Sequence, residues 1–125
     1  MNKELLDQLA ERVIGFAITV HRTLGPGLLE SIYEAALAVE MEEAALRFER
    51  QKPLPVTYRG RTIGEFRTDF VVEQTLILEI KSVERHDPVF DAQALTYLKL
   101  SGLHLGLLIN FNSRLLKDGI KRLIL

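Results

Sequence analysis

The stretch from Thr68 to Lys81 constrains this chain more than any other. It reads Thr-Asp-Phe-Val-Val-Glu-Gln-Thr-Leu-Ile-Leu-Glu-Ile-Lys, a pattern that predicts two short strands joined by a tight turn. Strand alternation puts Leu76, Leu78 and Ile80 on one face, and Ile77, Glu79 and Lys81 on the other. If Glu73, Gln74 and Thr75 form the loop, Val72 pairs with Leu76 and Asp69 falls opposite Glu79. Any odd-length loop keeps Asp69 on that face, and an even one sends it to the other. The odd register gathers two carboxylates and an ammonium on one face. The opposite face, Phe70, Val72, Leu76, Leu78 and Ile80, is apolar.

Two acids and a lysine around one point are the parts needed for metal-assisted phosphodiester hydrolysis. Carboxylates are hard ligands that suit Mg²⁺ or Mn²⁺. Such a cation polarises a phosphoryl oxygen and acidifies a bound water. The lysine orients that water or stabilises charge developing on phosphate oxygens. The competing reading is a cross-strand ion pair on a solvated face. Against it, the three charges interrupt an otherwise apolar hairpin.

The 125 residues are enough for one domain with its own core, spanning residues 1–125. A net charge of −1 gives no global case for nucleic-acid binding, so any such surface must be local. The absence of cysteine excludes disulfides, thiolate zinc sites and cysteine nucleophiles. His21, His86 and His104 show no metal-ligand spacing. The N-terminus lacks a signal-peptide layout and no apolar run is long enough to span a bilayer, so a cytoplasmic protein with no membrane partner is expected.

Leu5 to Leu24 predicts a helix, stopped by Gly25-Pro26-Gly27. A second helix is expected from about Leu28 to Leu46, with Leu29, Ile32, Tyr33, Ala36, Leu37 and Val39 as its buried stripe. Glu30 and Glu34 are neighbours on one face of it, and a cation between them would offset their repulsion. Tyr33 is close enough along the helix to reach the same site. Phe48 to Tyr58, with Pro53 and Pro55, reads as an edge strand. Arg59-Gly60-Arg61 reads as a hairpin turn before a strand from about Thr62 to Val72. Arg59, Arg61 and Arg67 lie in the most basic region, a candidate phosphate-contacting patch. Asp87 and Pro88 open a helix reaching about Ser101, on which Gln93 and Tyr97 share a face. Gly102 ends it. Leu103 to Phe111 reads as a buried strand, and Ile120 to Leu125 as a last short one.

These residues resemble a known family. Gly27-Leu28-Leu29-Glu30-Ser31-Ile32-Tyr33 is similar to the Gly-x-x-Glu-x-x-Tyr signature of the bacterial GxxExxY proteins. Asp69, Glu79-Ile80-Lys81 and Gln93-Ala94-Leu95-Thr96-Tyr97 resemble the PD-(D/E)XK nuclease core. The Gln-x-x-x-Tyr helix points to its lambda-exonuclease-like branch. Asn110-Phe111 is a further point of similarity to GxxExxY proteins. The usual proline before the first aspartate is replaced here by Thr68.

The resemblance implies a restriction-endonuclease-like α/β fold. Its αβββαβ core would carry a mixed central sheet flanked by helices, preceded by an extra N-terminal helix. It implies that Glu30, Asp69 and Glu79 hold Mg²⁺ or Mn²⁺, with Glu34 as a second candidate on the helix. Lys81 would be the charge-stabilising or water-positioning residue, and Gln93 and Tyr97 would line the site. The implied activity is a divalent-metal-dependent nuclease, with DNA as the expected nucleic acid. The alternative is a catalytically inactive nucleic-acid-binding or protein-interaction module on the same fold. A core this small is expected to need a homodimer or a protein partner to grip its substrate.

Overall fold

The computed structural model describes residues 2–125; Met1, the first residue of the expected domain, lies outside them. Helix α1 spans Lys3–Leu24. Asn2 caps it, its side-chain carbonyl accepting the Leu5 N–H at 2.8 Å. Gly25, at φ 73°, ends it in a conformation that costs a residue with a Cβ more than it costs glycine. Helix α2 spans Glu30–Glu43.

The buried stripe of α2 differs from the expected one. Of the expected stripe Tyr33 and Leu37 are buried, joined by Ala38 and Met41, whereas Leu29, Ile32 and Val39 are exposed. Both sets recur at helical spacing, so spacing alone does not select the phase. Tyr33 selects it. Its ring stacks on Phe111 at 4.5 Å, and its hydroxyl donates to the Gly25 carbonyl at 2.6 Å.

Five strands follow, β1 Phe48–Tyr58, β2 Arg61–Val72, β3 Leu76–Lys81, β4 Leu105–Asn110 and β5 Ile120–Ile124, with helix α3 Pro88–Ser101 between β3 and β4. They form one mixed sheet in the order β1-β2-β3-β4-β5. Only β3 and β4 run parallel, and α3 is their crossover. The central hairpin takes the odd register, with Val72↔Leu76 and Phe70↔Leu78. The architecture is therefore the expected α/β one, a mixed sheet flanked by helices.

One sheet face carries Phe70, Val72, Leu76, Leu78 and Ile80 into a core with α1 and α2. The other buries Val71, Ile77 and Leu108 on the side of Ala94 and Leu98 of α3. Strand β3 is buried on both faces. Each fully buried Leu or Ile there contributes roughly 1.5–3 kcal/mol. That core holds rigid the strand carrying Glu79 and Lys81.

Candidate active site

The site lies where β2 and β3 part. Their ladder ends at Phe70↔Leu78. The next residues outward are Asp69 and Glu79. Beyond this fork β2 stays paired with β1 and β3 with β4, but the two strands no longer pair with each other, and the two carboxylates bridge the gap. Asp69 Oδ2 accepts the Ile80 N–H at 2.7 Å. Glu79 Oε1 accepts the Asp69 N–H at 3.3 Å and the Thr68 hydroxyl at 2.6 Å.

A break in the outer ladder makes the fork possible. Gln51, at φ 50°, interrupts β1 between the pairs Arg50↔Phe70 and Lys52↔Thr68. Phe70 points into the α1/α2 core. Four residues earlier on the same strand, Phe66 stacks on Tyr97 of α3, with ring centroids 4.1 Å apart. The strand thus changes face at Asp69, which lets both Thr68 and Asp69 meet Glu79. Gln51 also bridges the site, its amide donating to Asp69 Oδ1 at 3.1 Å and to Glu34 Oε1 at 2.6 Å.

The helix carboxylate beside the pair is therefore Glu34, held also by Arg50 at 2.9 Å. Glu30 is exposed at the first position of α2 and takes no hydrogen bond or ion pair among the described residues. Tyr33 is buried with its hydroxyl in the α1–α2 turn, so it serves the fold and not the site.

Electrostatics set the pair apart. Burial pushes the Glu79 carboxyl up to about 8, helped by the neighbouring Asp69 charge and opposed by the bonds from Thr68 and Asp69 N–H and by the Lys81 charge. Asp69 is also raised, first by burial and then by the Glu34 charge; the Ile80 N–H, Gln51 and Lys81 pull it back. Tyr97 is raised by burial and by both carboxylates, which places its phenol within their field. Lys81 ends β3, its ammonium 4.5 Å from the centre of the Phe90 ring.

Among the described residues, the other expected ones make no hydrogen bond to these groups. Gln93 is exposed on α3 and bonds to none of these groups. Arg59 sits in the β1–β2 turn over the Tyr58 ring at 5.6 Å. Arg61 opens β2, and Arg67 lies 3.9 Å from Glu65. All three belong to a two-stranded arm beyond the fork, whose tip is separated from Asp69 by roughly 25 Å of extended strand. Thr68, Gln51 and Arg50 are absent from the set expected to act at the site. Thr68 stands directly before the first aspartate, which is the one local signal that marks any of them.

Among the described residues, no three or more Asp, Glu or His side chains converge as a preformed metal site. The donor set nonetheless fits a hard divalent cation. Glu79 Oε2 accepts no hydrogen bond from the protein among the described residues, and Asp69 Oδ1 accepts only from Gln51. Mg²⁺ commonly uses one or two carboxylates and keeps several waters. Burial is the main cause of the raised pKa of both acids, so a cation bound between them would have to offset that loss of solvation.

A mixed sheet that forks at an Asp–Glu pair, with a lysine two residues beyond the second acid, defines a restriction-endonuclease-like α/β domain. The family model of the PD-(D/E)XK nuclease superfamily matches residues 7–123, and the chain belongs to that superfamily. The superfamily implies nucleic acid as substrate, and its nucleases generally use divalent metals. No curated protein and no solved structure matches the chain. No helix among the described residues is long and apolar enough to cross a membrane.

Proposed function

We propose that this protein is a divalent-metal-dependent nuclease that hydrolyses phosphodiester bonds of DNA, acting as one domain in the bacterial cytoplasm. It fits the GxxExxY group and the branch with a Gln-x-x-x-Tyr helix. The observation that carries the reading is the fork, where Asp69 and Glu79 are buried against each other with Lys81 two residues on.

Asp69 and Glu79 would hold Mg²⁺ or Mn²⁺, with Glu34 in place of Glu30 as the nearby helix carboxylate. When bound, the cation supplies charge neutralisation at the phosphate and an acidified water. The chain's own part is positioning and electrostatics. Strand β3 fixes Glu79 and Lys81 on one face, and the Ile80 N–H fixes Asp69. Lys81, on leaving the Phe90 ring, reaches the charge that develops on phosphate oxygens. Tyr97, held by its stack on Phe66, borders the same space. Arg59, Arg61 and Arg67 present cations for backbone phosphates further along the substrate.

The test is cleavage by purified protein with Mg²⁺ or Mn²⁺, on linear and circular DNA, single-stranded DNA and RNA. Metal-dependent cleavage of DNA that is lost in both Lys81→Ala and Asp69→Ala, with the fold intact by circular dichroism, supports the reading. Cleavage that survives both substitutions, or none by the wild type, overturns it in favour of a binding module.

A further inference from the structure

A second polar feature lies away from the carboxylate pair. A hollow of about 390 Å³ opens between the end of α1 and the loop after β4, lined by His21 and Arg22 on one side and Arg114, Leu115 and Lys117 on the other. No carboxylate lines it. Among the described residues, no ion pair reaches Arg22, Arg114 or Lys117, whereas Arg50, Lys121 and Arg122 all have acidic partners. Three uncompensated cations around one hollow, on a chain of net charge −1, are a local concentration of positive potential.

The walls are fixed. His21 Nε2–H donates to the Ser113 carbonyl at 2.7 Å, which ties α1 to the loop. Leu116 is buried beneath it. The positions of His21 and Arg22 in the last turn of α1 offset the negative end of that helix, which would otherwise repel an anion.

The hollow also connects to the site. Asn110, the last residue of β4, lies beside Lys81 in the parallel ladder. Its side chain accepts the Val83 N–H at 3.1 Å and donates to the Val83 carbonyl at 2.9 Å. Arg114 follows Asn110 by four residues, at most about 14 Å of chain. Arg114 therefore lies on the loop that leaves the carboxyl end of the parallel strands, the end at which α/β sheets bind ligands, with the hollow on the α1 side of the sheet and Lys81 on the α3 side.

We propose that Arg22, Arg114 and Lys117 form an anion site for the backbone phosphates of a polynucleotide, past the end of the sheet from which Lys81 projects. The identity of that ligand rests on the nuclease reading; the anion site itself does not. An open rim with exposed Leu115 suits a sugar-phosphate chain that passes through, not a small anion enclosed by the protein.

The experiment measures binding of a short fluorescent DNA duplex to the whole protein in EDTA across a salt series. The wild type is compared with the triple variant R22A/R114A/K117A and with Lys3→Ala, a control roughly 28 Å away at the far end of α1. All three substituted side chains are exposed, so circular dichroism should match the wild type. The triple variant is expected to flatten the log-affinity against log-salt slope by about 2 to 3 and to bind at least about tenfold more weakly at moderate salt. An unchanged slope, or an equal loss in Lys3→Ala, overturns the proposal. So does displacement of the duplex by inorganic phosphate or a mononucleotide as readily as by unlabelled duplex, which would make this a small-anion site. Cleavage is scored separately. Binding that depends on the three cations, without cleavage by the wild type, leaves the anion site standing and removes the nuclease reading.

Discussion

Asp69 and Glu79 each satisfy the backbone of the other's strand: Asp69 takes the Ile80 N–H at 2.7 Å, and Glu79 takes the Asp69 N–H at 3.3 Å. The two groups proposed to hold the cation are therefore also the clasp of the fork. Their removal should differ from removal of Lys81, which takes part in no hydrogen bond of the clasp. In Asp69→Ala the Ile80 N–H loses its acceptor, a cost of about 1–3 kcal/mol. Relief of a crowded buried charge offsets part of it. Lys81→Ala gives up a contact with Phe90 worth about 0.5–1 kcal/mol. Both variants should lose at least about 10²-fold in single-turnover cleavage. Urea melts beside the cleavage assay check this, and equal destabilisation by the two substitutions would contradict the clasp.

The pH dependence of the metal-free protein follows from Glu79. Burial pushes its carboxyl up to about 8 in the folded protein, against an ordinary value of 4.5. Between those values the folded protein holds a proton that the unfolded chain has released. Stability should therefore be greatest at the acid end of this window and fall as pH rises toward 8. Thermal melts in EDTA across that range test the sign. Thr68→Val removes a bond that favours the ionised form, so it should move the titration of Glu79 further upward. Mg²⁺ should raise the melting temperature at pH 8, where it stabilises the ionised pair. A metal-free melting temperature that climbs with pH would show that the pair is not crowded as described.

The register of the central hairpin is only partly legible in the sequence: alternation groups Leu76, Leu78 and Ile80 on one face, but β3 is buried on both faces, and the loop length that puts Asp69 beside Glu79 is settled by the pairing Val72↔Leu76. Three helix limits are legible from local signals, at Gly25, Asp87 and Gly102, whereas the start of α1 at Lys3, capped by Asn2, and both ends of α2 at Glu30 and Glu43 differ from the expected Leu5, Leu28 and Leu46. Which helix carboxylate stands beside the pair is not legible locally. Glu30 and Glu34 occupy one face, and what separates them is Gln51 and Arg50 on another strand. The phase of α2 is equally non-local, since Tyr33 is drawn inward by Phe111, far along the chain. Thr68 stands where the superfamily commonly has proline, and its function becomes visible only once Glu79 is opposite.

Glu34 and Glu30 give a direct comparison. Glu34→Gln should weaken Mn²⁺ binding and slow cleavage by about tenfold, because it removes a charge next to Asp69 while keeping the side chain's shape. Glu30→Gln removes only an exposed charge at a helix start, worth about 0.3–1 kcal/mol of stability. Calorimetric titration of Mn²⁺ into both variants decides it. A larger loss in Glu30→Gln would return the ligand role to the first turn of α2.

Tyr33 provides the complementary case, a residue of the Gly-x-x-Glu-x-x-Tyr signature whose work is architectural. Its hydroxyl donates to the Gly25 carbonyl at 2.6 Å and accepts the Leu28 N–H at 3.1 Å. The Leu28 carbonyl in turn accepts the Ser82 hydroxyl at 2.6 Å, one residue beyond Lys81. The phenol thus sets the turn from which the loop after Lys81 is held. Tyr33→Phe keeps the stack on Phe111 and leaves two backbone groups in the turn without their partner, a cost of about 1–3 kcal/mol. The melting temperature should fall by several degrees, while cleavage per folded molecule, measured well below the transition, should change by less than about threefold. A loss of rate as large as that of Lys81→Ala, with the melt unchanged, would instead place the tyrosine among the groups that touch substrate.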